Sequence, residues 1–349
     1  MTTPQTILIT GASRGIGLLT ARHLAERGHK VIATMRDPDG RNAEAASGLR
    51  AEAAAGRDIT VAEMDVTSDA SVNAAIAAFD KHTPIDVLVN NAGVMPTGLT
   101  EAYTEDQVRQ CMDVNLMGIV RTSRAVLPGM RARGSGLLVS LSSAAGRLSI
   151  PFFGVYCASK WAMESYCESL HYELAPQGIE SVLVEPSGHG TDLVSTSPAP
   201  ADSDVVAAYG DRAKGRDRLL SMFQTMFDEG DAMTDAGNVA RAIAGLVPEI
   251  LRPVGGIADL RPDPEDRADI GEQIPIPLHG RIGGSARADR RQPRHLGADQ
   301  EGVDPARMDQ HVWLWNAQWQ RAHGTAAEMI ALPADQAVPL PEGVSHEVG

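Results

Sequence analysis

Six short apolar runs, at residues 6–10, 30–35, 59–65, 85–90, 136–142 and 180–185, recur along the chain with longer helical stretches between them. A run that is apolar on both faces suits a strand covered on both sides, and a helix between strands supplies the crossover that parallel pairing needs. The expected helices cover 16–27, 68–82, 104–133 and 154–175, the third broken or bent at Pro128, which lacks an N–H and crowds the preceding turn. The pattern predicts an α/β chain whose doubly wound parallel sheet lies between two helical layers.

From 188 to 235 the pattern changes to a polar, proline-containing loop and a helical stretch with Leu219, Leu220, Met222, Phe223, Met226 and Phe227. This reads as an insertion after the sixth strand, followed by a helix at 238–247. Beyond about 254 the chain turns to Pro, Gly, Arg and Asp with little periodicity, so 1–254 is expected as one domain and 255–349 as a loop-rich or partly disordered extension. Trp313, Leu314, Trp315 and Trp319 form an aromatic patch within that extension.

Composition narrows the function classes. The formal charge is −14 with no lysine-rich block, which disfavours nucleic acid as a partner. Cys111, Cys157 and Cys167 lack metal-ligand spacing, and their odd number argues against a disulfide framework, so no metal is expected and a cytoplasmic location fits best. No run of eighteen apolar residues predicts a membrane span, and no secretion signal is visible at the N-terminus.

The first run leads into Thr10-Gly11-Ala12-Ser13-Arg14-Gly15-Ile16-Gly17 and then directly into a helix. Glycines let the backbone approach a phosphate, and a helix N-terminus offers free N–H donors and a positive dipole end. A strand before, a helix after and a place in the first βαβ unit make this a dinucleotide turn, and the fold a Rossmann-type one. At the end of the second strand an acidic residue would accept hydrogen bonds from a free ribose 2′-hydroxyl, whereas a basic one suits a 2′-phosphate. The chain has Ala33-Thr34-Met35-Arg36 there, so Arg36 and Arg14 favour NADP(H).

Tyr156 and Lys160 stand four apart in the last long helix, which places them on one face about 5 to 6 Å apart at Cβ. A nearby ammonium is expected to lower a phenol's pKa and make it an acid or base. The preceding strand ends Ser140-Leu141-Ser142-Ser143, where a hydroxyl can hold a substrate carbonyl oxygen. Strand alternation points Ser142 to the opposite face from Ser143.

With these residues assembled, the chain resembles a short-chain dehydrogenase/reductase of the short, single-domain branch. The resemblance rests on the glycine turn, Asp65-Val66, Asn90-Asn91-Ala92-Gly93, Asn115, Ser143, Tyr156, Lys160, Pro186 and Thr191, and spans about residues 5–250. It implies Tyr156 as the acid/base, Lys160 as its electrostatic partner and ribose ligand, Ser143 as the carbonyl-orienting hydroxyl, and Asn115 as the anchor of a relay water. It also implies that Asp65 contacts the adenine, that Asn91, Ala92 and Gly93 line the cofactor cleft, that Thr191 touches the carboxamide, and that Val66 and Pro186 belong to the cofactor-binding set. Ser187 stands where the family usually has glycine, which questions the geometry of that loop.

The stretch 151–170 is similar to steroid- and retinoid-type members, and the 188–235 segment would be the substrate lid, offering Leu193, Val194, Val205, Val206, Tyr209 and the apolar residues of its helix. The expectation is an NADP(H)-dependent alcohol dehydrogenase or carbonyl reductase for a lipophilic small molecule, assembled as a homodimer or homotetramer through the two long helices. A β-ketoacyl-thioester reductase and a non-catalytic NADPH-binding sensor remain as alternatives.

Overall fold

The computed structural model describes residues 3–80, 83–228, 234–250, 313–315 and 329–331. The chain divides into two compact units, Met1–Ile274 and Pro275–Gly349. The boundary expected near 254 lies outside the described residues.

In the first unit β1 (Thr6–Ile9), β2 (Lys30–Met35), β3 (Ile59–Glu63), β4 (Val87–Asn90), β5 (Gly136–Leu141) and β6 (Ile179–Val184) form a parallel sheet in the order β3-β2-β1-β4-β5-β6. Ile7 faces Val31 on one side and Val87 on the other, and Ser140 faces Asn90 and Leu183. Strand order reverses between β1 and β4, which opens a crevice at the carboxyl ends of the strands. Every expected strand is present, but Thr10, Asp65, Ser142 and Glu185 fall outside the ladder and lead into that crevice. Central β1 and β4 are buried throughout, whereas edge strand β3 is half covered, so it is not apolar on both faces as the sequence reading had it.

Around the sheet lie α1 (Gly15–Glu26), α2 (Ala43–Ala54), α3 (Asp69–Asp80), α4 (Glu105–Met112), α5 (Gly118–Arg133), α6 (Gly154–Leu174), α7 (Ser203–Ala208), α8 (Gly215–Asp228) and α9 (Ala236–Ile250). The sequence reading did not anticipate α2, because only Ala46 and Leu49 are buried among its alanines and no apolar face stands out. The 104–133 stretch begins where expected, with Thr104 and Gln107 closing a reciprocal capping box. Its interruption is not at Pro128. A π-helical turn, Asp113–Met117, separates α4 from α5, and Pro128 lies inside α5, whose neighbouring Val126, Leu127 and Met130 are packed in the core.

Leu8, Ile32, Leu88, Leu138 and Ile179 meet those α5 side chains together with Leu170 and Leu174 of α6. Each fully buried leucine or isoleucine contributes about 1.5–3 kcal/mol relative to exposure. On the other face α1 packs on α9, and Arg27 donates to the carbonyl of Ala244.

In the second unit β7 (Trp313–Trp315) pairs antiparallel with β8 (Met329–Ala331), Trp313 opposite Ala331 and Trp315 opposite Met329. Part of the aromatic patch is therefore strand; Trp319 lies outside the described residues. No described helix is long and apolar enough to cross a membrane.

Candidate active site

The glycine turn is built by close backbone approach. Thr10 Oγ1 accepts the N–H groups of Asn91 and Ala92, each at 3.0 Å. Asn91 Nδ2 returns bonds to the carbonyls of Thr10 at 2.9 Å and Gly11 at 3.0 Å. Gly11 has φ +67°, and a Cβ there would stand 2.9 Å from Ala92 Cα; at Gly17 it would stand 2.4 Å from Asn91 Nδ2. Both positions therefore require glycine. Arg14 precedes α1 without a side-chain cap, so the first N–H groups of that helix face the crevice edge unclaimed by any side-chain acceptor. A glycine-walled, uncapped helix start fits the pyrophosphate of a dinucleotide. Ser13 and Ile16 are half-buried in this turn, and Thr191 lies over Gly15.

At the far end of the crevice Arg36 is exposed just beyond β2. The next residue, Asp37, has φ +46° and turns its carboxylate into its own loop, where it accepts the Arg41 N–H at 2.9 Å. Asp65 Oδ1 accepts the N–H and hydroxyl of Thr67 at 3.0 and 2.8 Å. Burial alone would raise its pKa, but the Thr67 bonds and the charges of Arg36 and Arg41 outweigh that and hold it below the ordinary carboxylate value. Val66 is buried beside it.

Tyr156 and Lys160 share one buried face of α6, as their spacing implies. The Lys160 Nζ lies 5.7 Å from the centre of the Tyr156 ring and donates to the carbonyl of Leu141 at 2.7 Å. The expected lowering of the phenol's pKa is not what the surroundings produce. Burial pushes Tyr156 above its ordinary value, and a hydrogen bond with Ser143 only partly offsets it. Burial also lowers Lys160 to about 8, against the opposing charge of Glu164. Both effects have one cause, because a dry pocket disfavours phenolate and ammonium alike.

Ser143 caps the short helical turn Ala144–Gly146, its Oγ accepting the Ala145 N–H at 3.2 Å. Asn115, in the π turn, bonds the backbone of Val94 both ways at 2.9 Å and donates to Ser159 Oγ at 2.9 Å. Ser159 in turn donates to the Tyr156 carbonyl at 2.7 Å. Asn115 thus ties the cleft-lining loop after Gly93 to the helix that carries Tyr156.

Beside Tyr156 is an apolar cluster. Met95, Ala145, Phe153, Tyr156 and Cys157 form its buried part, and Leu193, Val194, Leu219 and Phe223 pack against it. Phe153 meets Phe223 edge-on at 6.0 Å, and Phe223 stacks on Phe227 at the same spacing. Other residues of the expected lid do not join it: Met222 is 57% exposed, and the Tyr209 hydroxyl bonds Glu101 at 2.7 Å. Residues 229–233 of that segment lie outside the described residues.

The family model described as short chain dehydrogenase matches residues 5–201, more than half of the chain. The chain is a short-chain dehydrogenase. It is 39% identical to bovine retinol dehydrogenase 8 over 262 residues, covering 71% of this chain and 80% of that protein. Among solved structures it is similar to a gluconate 5-dehydrogenase from Burkholderia cenocepacia in complex with NADP and tartrate, at TM-score 0.51 and 34% identity over 54% of this chain and 73% of that one. It is also similar to a short chain dehydrogenase/reductase from Burkholderia phymatum in complex with NAD, at TM-score 0.60 and 25% identity over 71% of this chain and 87% of that one. As a member of this family it is an oxidoreductase that binds a nicotinamide cofactor.

In this dehydrogenase Ser187 needs no glycine-like backbone. Among the described residues only Asp37 and Phe152 combine a side chain with positive φ. The loop is held instead by Pro186, whose carbonyl accepts the Ala144 N–H at 2.9 Å, next to Ser143. Sequence reasoning missed Met95, Phe153 and Cys157 as members of the apolar cluster; the signal available was their adjacency to the Asn91-Ala92-Gly93 and Tyr156 motifs. It also missed Arg147, Glu164 and Glu185, which no motif marks.

Proposed function

We propose that the chain is an NADP(H)-dependent oxidoreductase that interconverts a ketone or aldehyde and an alcohol on a lipophilic small molecule. The observation that carries this is the apolar cluster around Tyr156, against which Leu193, Val194, Leu219 and Phe223 pack. Such surroundings favour apolar substrates, and the relative named for retinol acts on one of that kind.

When bound, the nicotinamide supplies or accepts a hydride. The chain's own groups handle the proton. Tyr156, kept protonated by burial, donates to the carbonyl oxygen in reduction, while Ser143 orients that oxygen. Lys160, with its pKa near 8, is poised to return a proton to the phenolate. The glycine turn from Gly11 to Gly17 holds the pyrophosphate, and Asp65, Val66, Asn91, Ala92, Gly93, Pro186 and Thr191 line the rest of the cofactor's path.

Preference for the phosphorylated cofactor rests on Arg36, with Arg14 at the turn and with the Asp37 carboxylate directed away from the cleft. A homodimer or homotetramer through α5 and α6 is part of the proposal, supported by the exposure of Trp161 and Tyr172 on α6 and of Met117 just before α5. So is a cytoplasmic location, which suits three buried free thiols.

Fluorescence titration with NADPH and NADH, in wild type and Arg36→Ala, tests the cofactor assignment. Tight NADPH binding that weakens in the mutant is expected; equal NADH binding in wild type contradicts it. A screen of carbonyl compounds tests the substrate class, and turnover of only charged, water-soluble ones would overturn the lipophilic reading.

A further inference from the structure

One helical turn beyond Lys160 on α6 lies a buried ionic cluster that the reaction as described does not use. Arg147 makes two aligned bonds to Glu185, Nε to Oε2 at 3.1 Å and Nη2 to Oε1 at 2.6 Å. The same guanidinium meets Glu164 Oε2 at 3.0 Å. Two of its N–H groups are aligned on Glu185, whereas neither oxygen of Glu164 has an aligned hydrogen bond. Glu164 and Glu185 are only 4% and 5% exposed, so solvent does not screen them.

Two carboxylates against one guanidinium leave one negative charge over in a dry site, which is costly unless a matching positive charge is near. Lys160 supplies it, one helical turn from Glu164 on the same buried face of α6. The packing also looks built for this placement. A Cβ on Gly146 would stand 2.7 Å from Glu164 Oε1 and 2.9 Å from Ser142 Oγ, so only glycine lets the carboxylate seat there. Ser142, turned away from Ser143 as strand alternation requires, presents its hydroxyl to the same pocket, where it favours the charged form of Glu164. Its neighbour Leu141 supplies the carbonyl that holds the Lys160 ammonium.

We propose that Glu164 is a positioning residue whose buried charge, left over by the Arg147–Glu185 pair, keeps Lys160 an ammonium beside Tyr156. The inference rests on the role given to Lys160 under the proposed function. Other groups facing the pair do not supply that charge. Cys167 of α6 and Cys111 of α4 are pushed up by burial and stay neutral thiols, Glu168 acts on Arg147, and Ser142 is uncharged. Burial and the neighbouring Glu185 charge raise Glu164 to about 7, so it becomes fully charged above neutrality, where Lys160 titrates. Glu164 works against the burial that lowers Lys160, and Arg147, Ser142 and Lys160 work against the burial that raises Glu164.

The test reads Lys160 directly, without turnover. The chain has four lysines, Lys30, Lys81, Lys160 and Lys214. Lysine side-chain carbon labelling gives few NMR signals to titrate, and Lys160→Arg assigns the one of interest. In the cofactor-free protein, Glu164→Gln is expected to move the Lys160 midpoint down by about one pH unit or more, a tenfold loss of ammonium above the midpoint. Glu164→Asp should restore most of it, and Gly146→Ala, which displaces the carboxylate, should shift it the same way as Glu164→Gln. A Lys160 midpoint unchanged in folded Glu164→Gln overturns the proposal, and if that variant does not fold, an unchanged midpoint in Gly146→Ala does so. Absence of carbonyl turnover in wild type would instead sink the proposed function and leave this titration standing.

Discussion

The two ends of the crevice are held by different kinds of contact. At the cofactor end backbone meets backbone: Gly11 and Gly17 pack against Ala92 and Asn91, and Thr10 and Asn91 exchange bonds between the two strand ends. At the substrate end α7 and α8 contain no fully buried residue, and half-buried Leu219 and Phe223 lean on the Phe153–Tyr156 wall. The first arrangement has no slack, because a backbone cannot change rotamer. The second can be repacked one side chain at a time, which lets one cofactor frame serve relatives named for retinol and for gluconate.

Tyr156 sits where the two ends meet, and its removal should have the largest effect. Tyr156→Phe is expected to lower kcat by about 10²–10⁴-fold while leaving NADPH affinity and melting temperature nearly unchanged, checked by steady-state kinetics and cofactor titration. At the rigid end, Gly17→Ala should cost about 1–3 kcal/mol of stability and abolish measurable cofactor binding, read by denaturant unfolding and nicotinamide fluorescence. At the adaptable end, Phe223→Ala should raise KM for lipophilic substrates about tenfold with cofactor affinity unaltered, a loss of roughly 1.4 kcal/mol of substrate binding. If Phe223→Ala weakened NADPH as much as substrate, the contrast between the ends would fail. Arg36→Ala should shift the NADPH to NADH preference by a smaller margin, several-fold, because this arginine is exposed and screened.

The smallest expected effect is on the pH profile. With Lys160 near 8, reduction should slow as pH rises through that value and the ammonium is lost. Between there and the unfolded value of 10.5 the unfolded chain binds more protons at this site, so Lys160's own contribution to stability rises with pH. An alkaline fall in rate with no matching fall in melting temperature would separate the two.

Much of this was legible in the chain itself, for a physical reason. Rigid features leave strong marks: the glycines need backbone freedom, the strands need apolar runs, and Tyr156 and Lys160 must share a helical face. The π turn at Asp113–Met117 was not legible, because Asn115 holds it through long-range bonds to Val94 while Pro128 offers a louder local signal. Helix α2 hid because alanines mark no face. Glu164 carries no motif and drew no attention in the sequence; only its burial on α6 makes it part of the site. The phenol's pKa was misjudged in the same way, since spacing reveals the ammonium but not the desolvation that dominates both groups.

The most direct test is a single-turnover reaction. Wild type and Tyr156→Phe, each saturated with NADPH, are mixed with retinal, an aryl ketone and a sugar keto acid while nicotinamide absorbance is followed. Oxidation of NADPH by the lipophilic carbonyls in wild type, lost in Tyr156→Phe with binding retained, is the result expected. Turnover confined to the sugar keto acid, or an undiminished rate in Tyr156→Phe, would contradict it.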